Sequence, residues 1–349
     1  MRRNLCVLSL LGAALLTAPA PAQQTLPAPQ ASPAASVNQT VGIAELSVSY
    51  HRPGIKGRQI WGALVPYGEV WRAGANENTT FTTSHSIFVE GKPLSAGTYG
   101  LHMIPRTDRW TIIFSSNSTS WGSYFYDERE DALRVEVVPE AAPQTEWLAY
   151  QFEELTDSSA VLTLRWERLR VPIRVTMDTE GHVIANAREA YLRGLAGFSW
   201  QGYQQAADYC LRHNRNLEEA LRWVERSIEI SETFTNLRTK AGILDALGRS
   251  SEADALRSRS LTLATEAEVN ALGYQLLGQN RVNDALEMFR LNVVRYPNSW
   301  NVYDSLAEGL ERAGDIEGAI INYRQALALV SNPAQKARIQ ETLNRLRGQ

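Results

Sequence analysis

Two periods divide the chain. From Val37 onward apolar positions recur at every second residue: Leu46, Val48 and Tyr50 alternate with Ser47 and Ser49, the mark of strands with one buried face. Further runs of this kind span Ser86–Glu90, Thr98–Ile104, Trp110–Phe114, Leu133–Val138, Trp147–Phe152, Val161–Trp166 and Val171–Met177. Turn residues separate them: Gly91-Lys92-Pro93 with Ala96-Gly97, then Arg106–Arg109, then Thr156–Ser159. About eight short strands with hardly any helix predict an antiparallel β-sandwich over residues 37–178. Asp178-Thr179-Glu180-Gly181 reads as a turn, and beyond it the pattern is helical to the end of the chain.

The helical half repeats itself. Ala220, Ala253, Ala285 and Ala319 lie 33, 32 and 34 residues apart, each just inside the second helix of a helix–turn–helix unit. Leu272, Gly273, Ala285, Phe289 and Pro297 of one unit align with Leu306, Ala307, Ala319, Tyr323 and Ser331 of the next. This pattern resembles the tetratricopeptide repeat, with Ser331 where the closing proline is usual and Pro333 shortly after. The resemblance implies an α-solenoid of helix pairs over residues 201–347, preceded by a connecting helical region at 179–200. It also implies that Arg238, Asn270, Tyr274, Asn301, Asp304 and Glu308 line a groove that docks a protein or peptide partner.

Within the β half, one segment keeps neither period. Residues 50–81 mix His51, Arg52, Lys56, Arg58, Glu69, Arg72 and Asn76 with Trp61, Tyr67 and Trp71 among many glycines and prolines. A segment so aromatic predicts an ordered loop, and ordered loops are where function concentrates. Arginine forks suit carboxylate or phosphate, and tryptophan faces suit a sugar or peptide. His51, Arg52, Lys56, Arg58, Trp61, Glu69, Trp71, Arg72 and Asn76 are therefore candidate ligand contacts. The competing expectation is that Arg58 and Arg72 pair with Glu69 and Glu77 to hold the loop in shape.

The blocks R-P-x-x-K-G-R (Arg52 to Arg58), W-R-x-G-A-N-x-x-T (Trp71 to Thr79) and G-T-Y-x-L (Gly97 to Leu101) give a family resemblance. Together with RWTIIFSSNSTSWGSYFY they are similar to a bacterial secreted family catalogued as domain of unknown function 2911. It often carries helical repeats behind its β domain, and the resemblance implies architecture and export but no activity.

The amino terminus agrees with export. Arg2 and Arg3 precede an apolar run from Leu5 to Leu16 and an Ala20-Pro21-Ala22 triplet, which predicts a signal peptide over residues 1–22. Residues 23–36, rich in Pro, Ala, Gln and Ser, predict a flexible linker. Removing Arg2 and Arg3 takes the net charge from −3 to −5 and leaves Cys210 as the lone cysteine, so no internal disulfide is expected. A mildly acidic chain is a poor nucleic-acid binder, and no membrane span is expected after cleavage. The five histidines show none of the local spacings of zinc sites, and there is no nucleophile elbow or phosphate loop, so no metal or cofactor is expected. The sequence thus points to an exported, non-enzymatic binding or scaffolding protein of the bacterial envelope. A hydrolase acting on an envelope glycan or peptide and a carbohydrate-binding module remain as alternatives.

Overall fold

The computed structural model describes residues 28–348. The expected signal peptide and residues 23–27 of the expected linker lie outside the described residues. The chain divides into two compact units between Met177 and Asp178.

Among the described residues the first unit holds ten strands: β1 (Ala34–Val41), β2 (Ala44–His51), β3 (Thr80–Thr83), β4 (Ile87–Val89), β5 (Lys92–Leu94), β6 (Gly97–Ile104), β7 (Trp110–Ser115), β8 (Asp131–Val137), β9 (Glu140–Glu153) and β10 (Ser159–Thr176). They form a six-stranded sheet, β1-β2-β3-β6-β7-β8, and a four-stranded sheet, β5-β4-β10-β9, with these strands paired antiparallel throughout. Inward side chains of both sheets merge into one core, with Leu46, Phe81, Leu101, Ile112 and Phe114 from the first and Leu148, Leu162, Leu164 and Ile173 from the second. This is the sandwich that the alternating runs predict.

Three local departures have physical reasons. Residues 161–177 read as two strands, yet they form one 18-residue strand whose register shifts on either side of Glu167. Glu167 takes φ 57°, so a bulge rather than a turn bends the strand. The predicted linker ends early, because Ala34–Ser36 already pair with Ser49–His51. The expected loop at Gly91-Lys92-Pro93 carries a short strand instead. Glu90 and Gly91, at φ 47° and 76°, form a tight hairpin, and Pro93 sits on the sheet edge where its missing N–H costs nothing.

The second unit is helical: α1 (Thr179–Glu189), α2 (Trp200–Arg212), α3 (Leu217–Ile230), α4 (Phe234–Ala246), α5 (Ser250–Leu263), α6 (Glu266–Gly278), α7 (Val282–Arg295), α8 (Trp300–Arg312), α9 (Ile316–Leu329) and α10 (Pro333–Arg347). Helices α2/α3, α4/α5, α6/α7 and α8/α9 pair as units, and α10 closes against α9. Ala220, Ala253, Ala285 and Ala319 are each the fourth residue of a second helix and each is fully buried. At the α6/α7 contact the small residue is a glycine: a Cβ on Gly273 would lie 2.8 Å from Cζ of the buried Phe289. Caps set the starts. Thr233 with Asn236 and Thr265 with Glu268 form capping boxes, and Asp315 accepts from the Gly318 N–H.

Candidate functional site

The irregular segment between β2 and β3 is ordered by tryptophan packing. Trp61 meets Trp71, Trp110 and Trp166 edge-on at 5.9, 4.9 and 5.7 Å, and Trp71 stacks on Trp166 at 5.9 Å. Trp110 and Trp166 are buried, and Trp61 and Trp71 pack against the same core. Edge-to-face and offset geometry of this kind adds to the burial of the rings. Trp61 thus belongs to the core of the domain, while Trp71 also shows part of itself to a cleft.

The arginines of this segment have no carboxylate partners among the described residues. Arg52 Nε donates to Leu148 O, Arg58 donates to Ile55 O and Gly54 O, and Arg72 donates to Asn76 O. The expected pairing of Arg58 and Arg72 with Glu69 and Glu77 is therefore replaced by bonds to backbone carbonyls. That loop has few regular ladder bonds, so its C=O groups need donors. Glu77 instead meets His51 Nδ1 at 3.3 Å. Lys56 lies 5.5 Å from the ring centre of Trp147, and its backbone N–H donates to Glu146. Asn76, at φ 59°, donates to Ser32 O, and Thr79 donates to Ala73 O. Glu69 is exposed and lines a second small cleft with Ser123 and Tyr124.

Arg72 meets an aromatic pair from the segment after β7. Its guanidinium carbon lies 5.3 Å from the ring of Trp121 and 5.4 Å from that of Tyr124, which stack on each other. Those rings are 52% and 73% exposed. Gly122 between them, at φ 65°, admits the guanidinium, because a Cβ there would lie 2.7 Å from Arg72 Cζ. The aromatic density of Trp121-Gly122-Ser123-Tyr124-Phe125-Tyr126 was the available signal; its meeting with Arg72 was not legible.

Behind this group His102, 2% exposed, bonds Ser123 Oγ through Nδ1 at 2.9 Å. Burial pushes its pKa down to about 4; Asp131 pulls it up and Arg72 pushes it further down. Tyr126 donates to Asp131 and accepts from Arg134, which also pairs with Asp131. Among the described residues no three His, Cys, Asp or Glu side chains converge as metal ligands. Cys210 is buried, which pushes its thiol up to about 11.

In the helical unit α2 meets α4, and α6 meets α8. Tyr274 of α6 donates to Glu308 of α8 at 2.8 Å, and Asp304 of α8 accepts from Arg338 of α10 at 2.6 Å. Asn301 donates to Glu266. Burial raises the Asp304 pKa, and the Arg338 bond works against it. Arg238 of α4 differs: it is half-buried, it has no carboxylate partner among the described residues, and it lies over the Phe234 ring at 5.7 Å. Burial, with Arg257 and Arg281 nearby, lowers its pKa. Asn270 of α6 keeps a buried Oδ1 with no partner. Arg338, the partner of Asp304, is a residue that the sequence reading missed.

The geometry defines an antiparallel β-sandwich followed by a tetratricopeptide-like solenoid. Residues 32–175, spanning the β domain, match the family model described as Protein of unknown function (DUF2911). No curated protein matches the chain. Solved structures similar to the chain include "MamA 41-end from Desulfovibrio magneticus RS-1" at 20% identity, covering 42% of this chain and 82% of that one, with TM-score 0.28. YrrB, titled a TPR protein with an unusual peptide-binding site, matches at 14% identity over 46% and 84%, with TM-score 0.28. Pseudomonas aeruginosa pilF matches at 19% over 41% and 67%, with TM-score 0.27. The solenoid assignment rests on the buried alanines and close helix crossings of the chain itself.

Proposed function

We propose that this is an exported, non-enzymatic binding or scaffolding protein of the bacterial envelope. Its helical repeats dock a protein partner, and its β domain holds a ligand beside residues 50–81. The observation that carries the reading is the unmet polar capacity on the first helices. A half-buried guanidinium without a counter-charge and a buried amide oxygen without a donor are costly unless a ligand completes them. An extended peptide offers both a carboxylate for Arg238 and an N–H for Asn270. Export rests on Arg2, Arg3, the apolar run and the Ala20-Pro21-Ala22 triplet; among the described residues no helix is long and apolar enough to cross a membrane.

The test is capture from envelope extract by the full chain and by two variants, followed by reconstitution of the complex from purified components. Arg238→Glu should lower affinity for the reconstituted partner by at least about tenfold, since a half-buried charge is reversed. Arg72→Gln should leave it unchanged. A partner held equally by all three chains refutes docking on the first helices.

A second reading, hydrolysis, has one observation in its favour: the Ser123–His102 hydrogen bond beside Asp131. No carboxylate hydrogen-bonds His102 among the described residues, so the orienting third member of a triad is lacking. Covalent labelling of Ser123 by a fluorophosphonate, abolished in His102→Gln, would favour it over binding.

A further inference from the structure

The cleft beside Arg72 has a one-sided chemistry. It holds about 380 Å³ and is lined by Arg58, Arg72, Asn76, Trp71, Trp121 and Trp166 together with Ser32 and apolar residues, and no carboxylate lines it. Arg58 spends Nε and Nη2 on the carbonyls of Ile55 and Gly54, and Arg72 spends Nη1 on that of Asn76. Each guanidinium has five N–H groups, so both retain donors. Independently, Trp166 is 1% exposed and its Nε1 has no acceptor. Arg72 is also fixed in place without a counter-ion, between the Gly122 backbone and the rings of Trp121 and Tyr124. A positioned cation, surplus donors and aromatic walls fit an anionic head on a planar or apolar body.

We infer that this cleft binds a small organic anion, a carboxylate or phosphate monoester on a planar or apolar body, with Arg72 and Arg58 as its charge partners. The inference rests on the reading that the β domain holds a ligand, and it names the class. Arg72 meets the head, Arg58 supplies the second positive charge, and Trp71 and Trp121 flank the body.

The experiment is titration of the full chain with benzoate, phenyl phosphate, neutral benzamide and methyl β-glucoside, followed by tryptophan fluorescence and ligand-observed NMR. Benzoate or phenyl phosphate should bind at least about tenfold more tightly than benzamide, and whichever anion binds better identifies the head group. Arg72→Gln and Arg58→Gln should each weaken that anion several-fold, and Arg58→Lys, which keeps the charge, should weaken it less than Arg58→Gln; Arg58 is more exposed than Arg72, so its substitution perturbs the fold less. Equal binding of benzamide, or full anion affinity in both Gln variants, overturns the inference. Binding of the neutral sugar alone also overturns it while leaving the β domain a ligand-binding module. No binding by any of the four probes overturns both.

Discussion

Replacing Gly273 by Ala tests the crossing of α6 and α7 with a change of one methyl group. In an open helix Gly→Ala stabilises by about 0.5–1 kcal/mol, because alanine loses less conformational freedom. At Gly273 the new Cβ would sit 2.8 Å from Cζ and 2.9 Å from Cδ1 of Phe289, which is fully buried and cannot move without displacing its own neighbours. Overpacking of that kind costs about 1–3 kcal/mol, so the net effect is destabilising by about 0.5–2 kcal/mol. The control lies on the same helix. A Cβ on Gly278 meets nothing within 4 Å, so Gly278→Ala should stabilise by up to about 1 kcal/mol. For a domain the size of the helical half, each kcal/mol moves Tm by about 2–4 °C. Thermal unfolding followed at 222 nm should therefore show opposite shifts, and Gly273→Ala/Phe289→Leu should recover part of the loss. A Gly273→Ala protein as stable as the original would show that the helices do not cross at this distance.

His102 gives a pH prediction. Its folded pKa of about 4 lies below its ordinary value of 6.5, so the folded state holds the neutral ring and carries no penalty above pH 6.5. As pH falls from 6.5 to about 4 the unfolded chain gains the proton first, and the β domain should lose up to about 3 kcal/mol. Denaturant titration across that window should show a shallower loss in His102→Asn. Trp166→Ala should cost the β domain about 3–5 kcal/mol in the same assay, whereas the exposed Trp121→Ala should change it by less than about 0.5 kcal/mol. In a chain beginning at Gln23, Cys210 should resist a thiol reagent until the helical half unfolds, because it is buried and its thiol is pushed up to about 11.

Much of the architecture was legible because it repeats. Four alanines at near-constant spacing each occupy the same turn of a second helix, and Gly273 with Phe289 shows why the pattern needs a small residue facing a large one. Alternation likewise located β2, β6, β7 and β8. It lost β1, whose Ala35, Val37 and Gln39 are only half-buried, and it split β10 at Glu167, where a left-handed residue breaks the alternation without ending the strand. The candidate site was legible in composition but not in partnership. Arginine bonds to backbone carbonyls leave no mark in a sequence, so Arg58 and Arg72 were expected to seek carboxylates. Tryptophans carry equal promise as core and as sugar platforms; Trp61 went to the core because three other indoles converge on it. His102 and Ser123 lie 21 residues apart, and only the fold brings them to hydrogen-bonding distance.

The most direct test of the account is photocrosslinking in exporting bacterial cells from two positions of the full chain. A benzoylphenylalanine at position 274 replaces Tyr274 on the first-helix face of α6, and one at position 294 replaces Val294, 78% exposed on the second helix α7. The account predicts one discrete protein adduct from position 274, lost when Arg238→Glu is added, and none from position 294. Adducts from position 294 alone, or an adduct at 274 that survives Arg238→Glu undiminished, would contradict docking on the first-helix face.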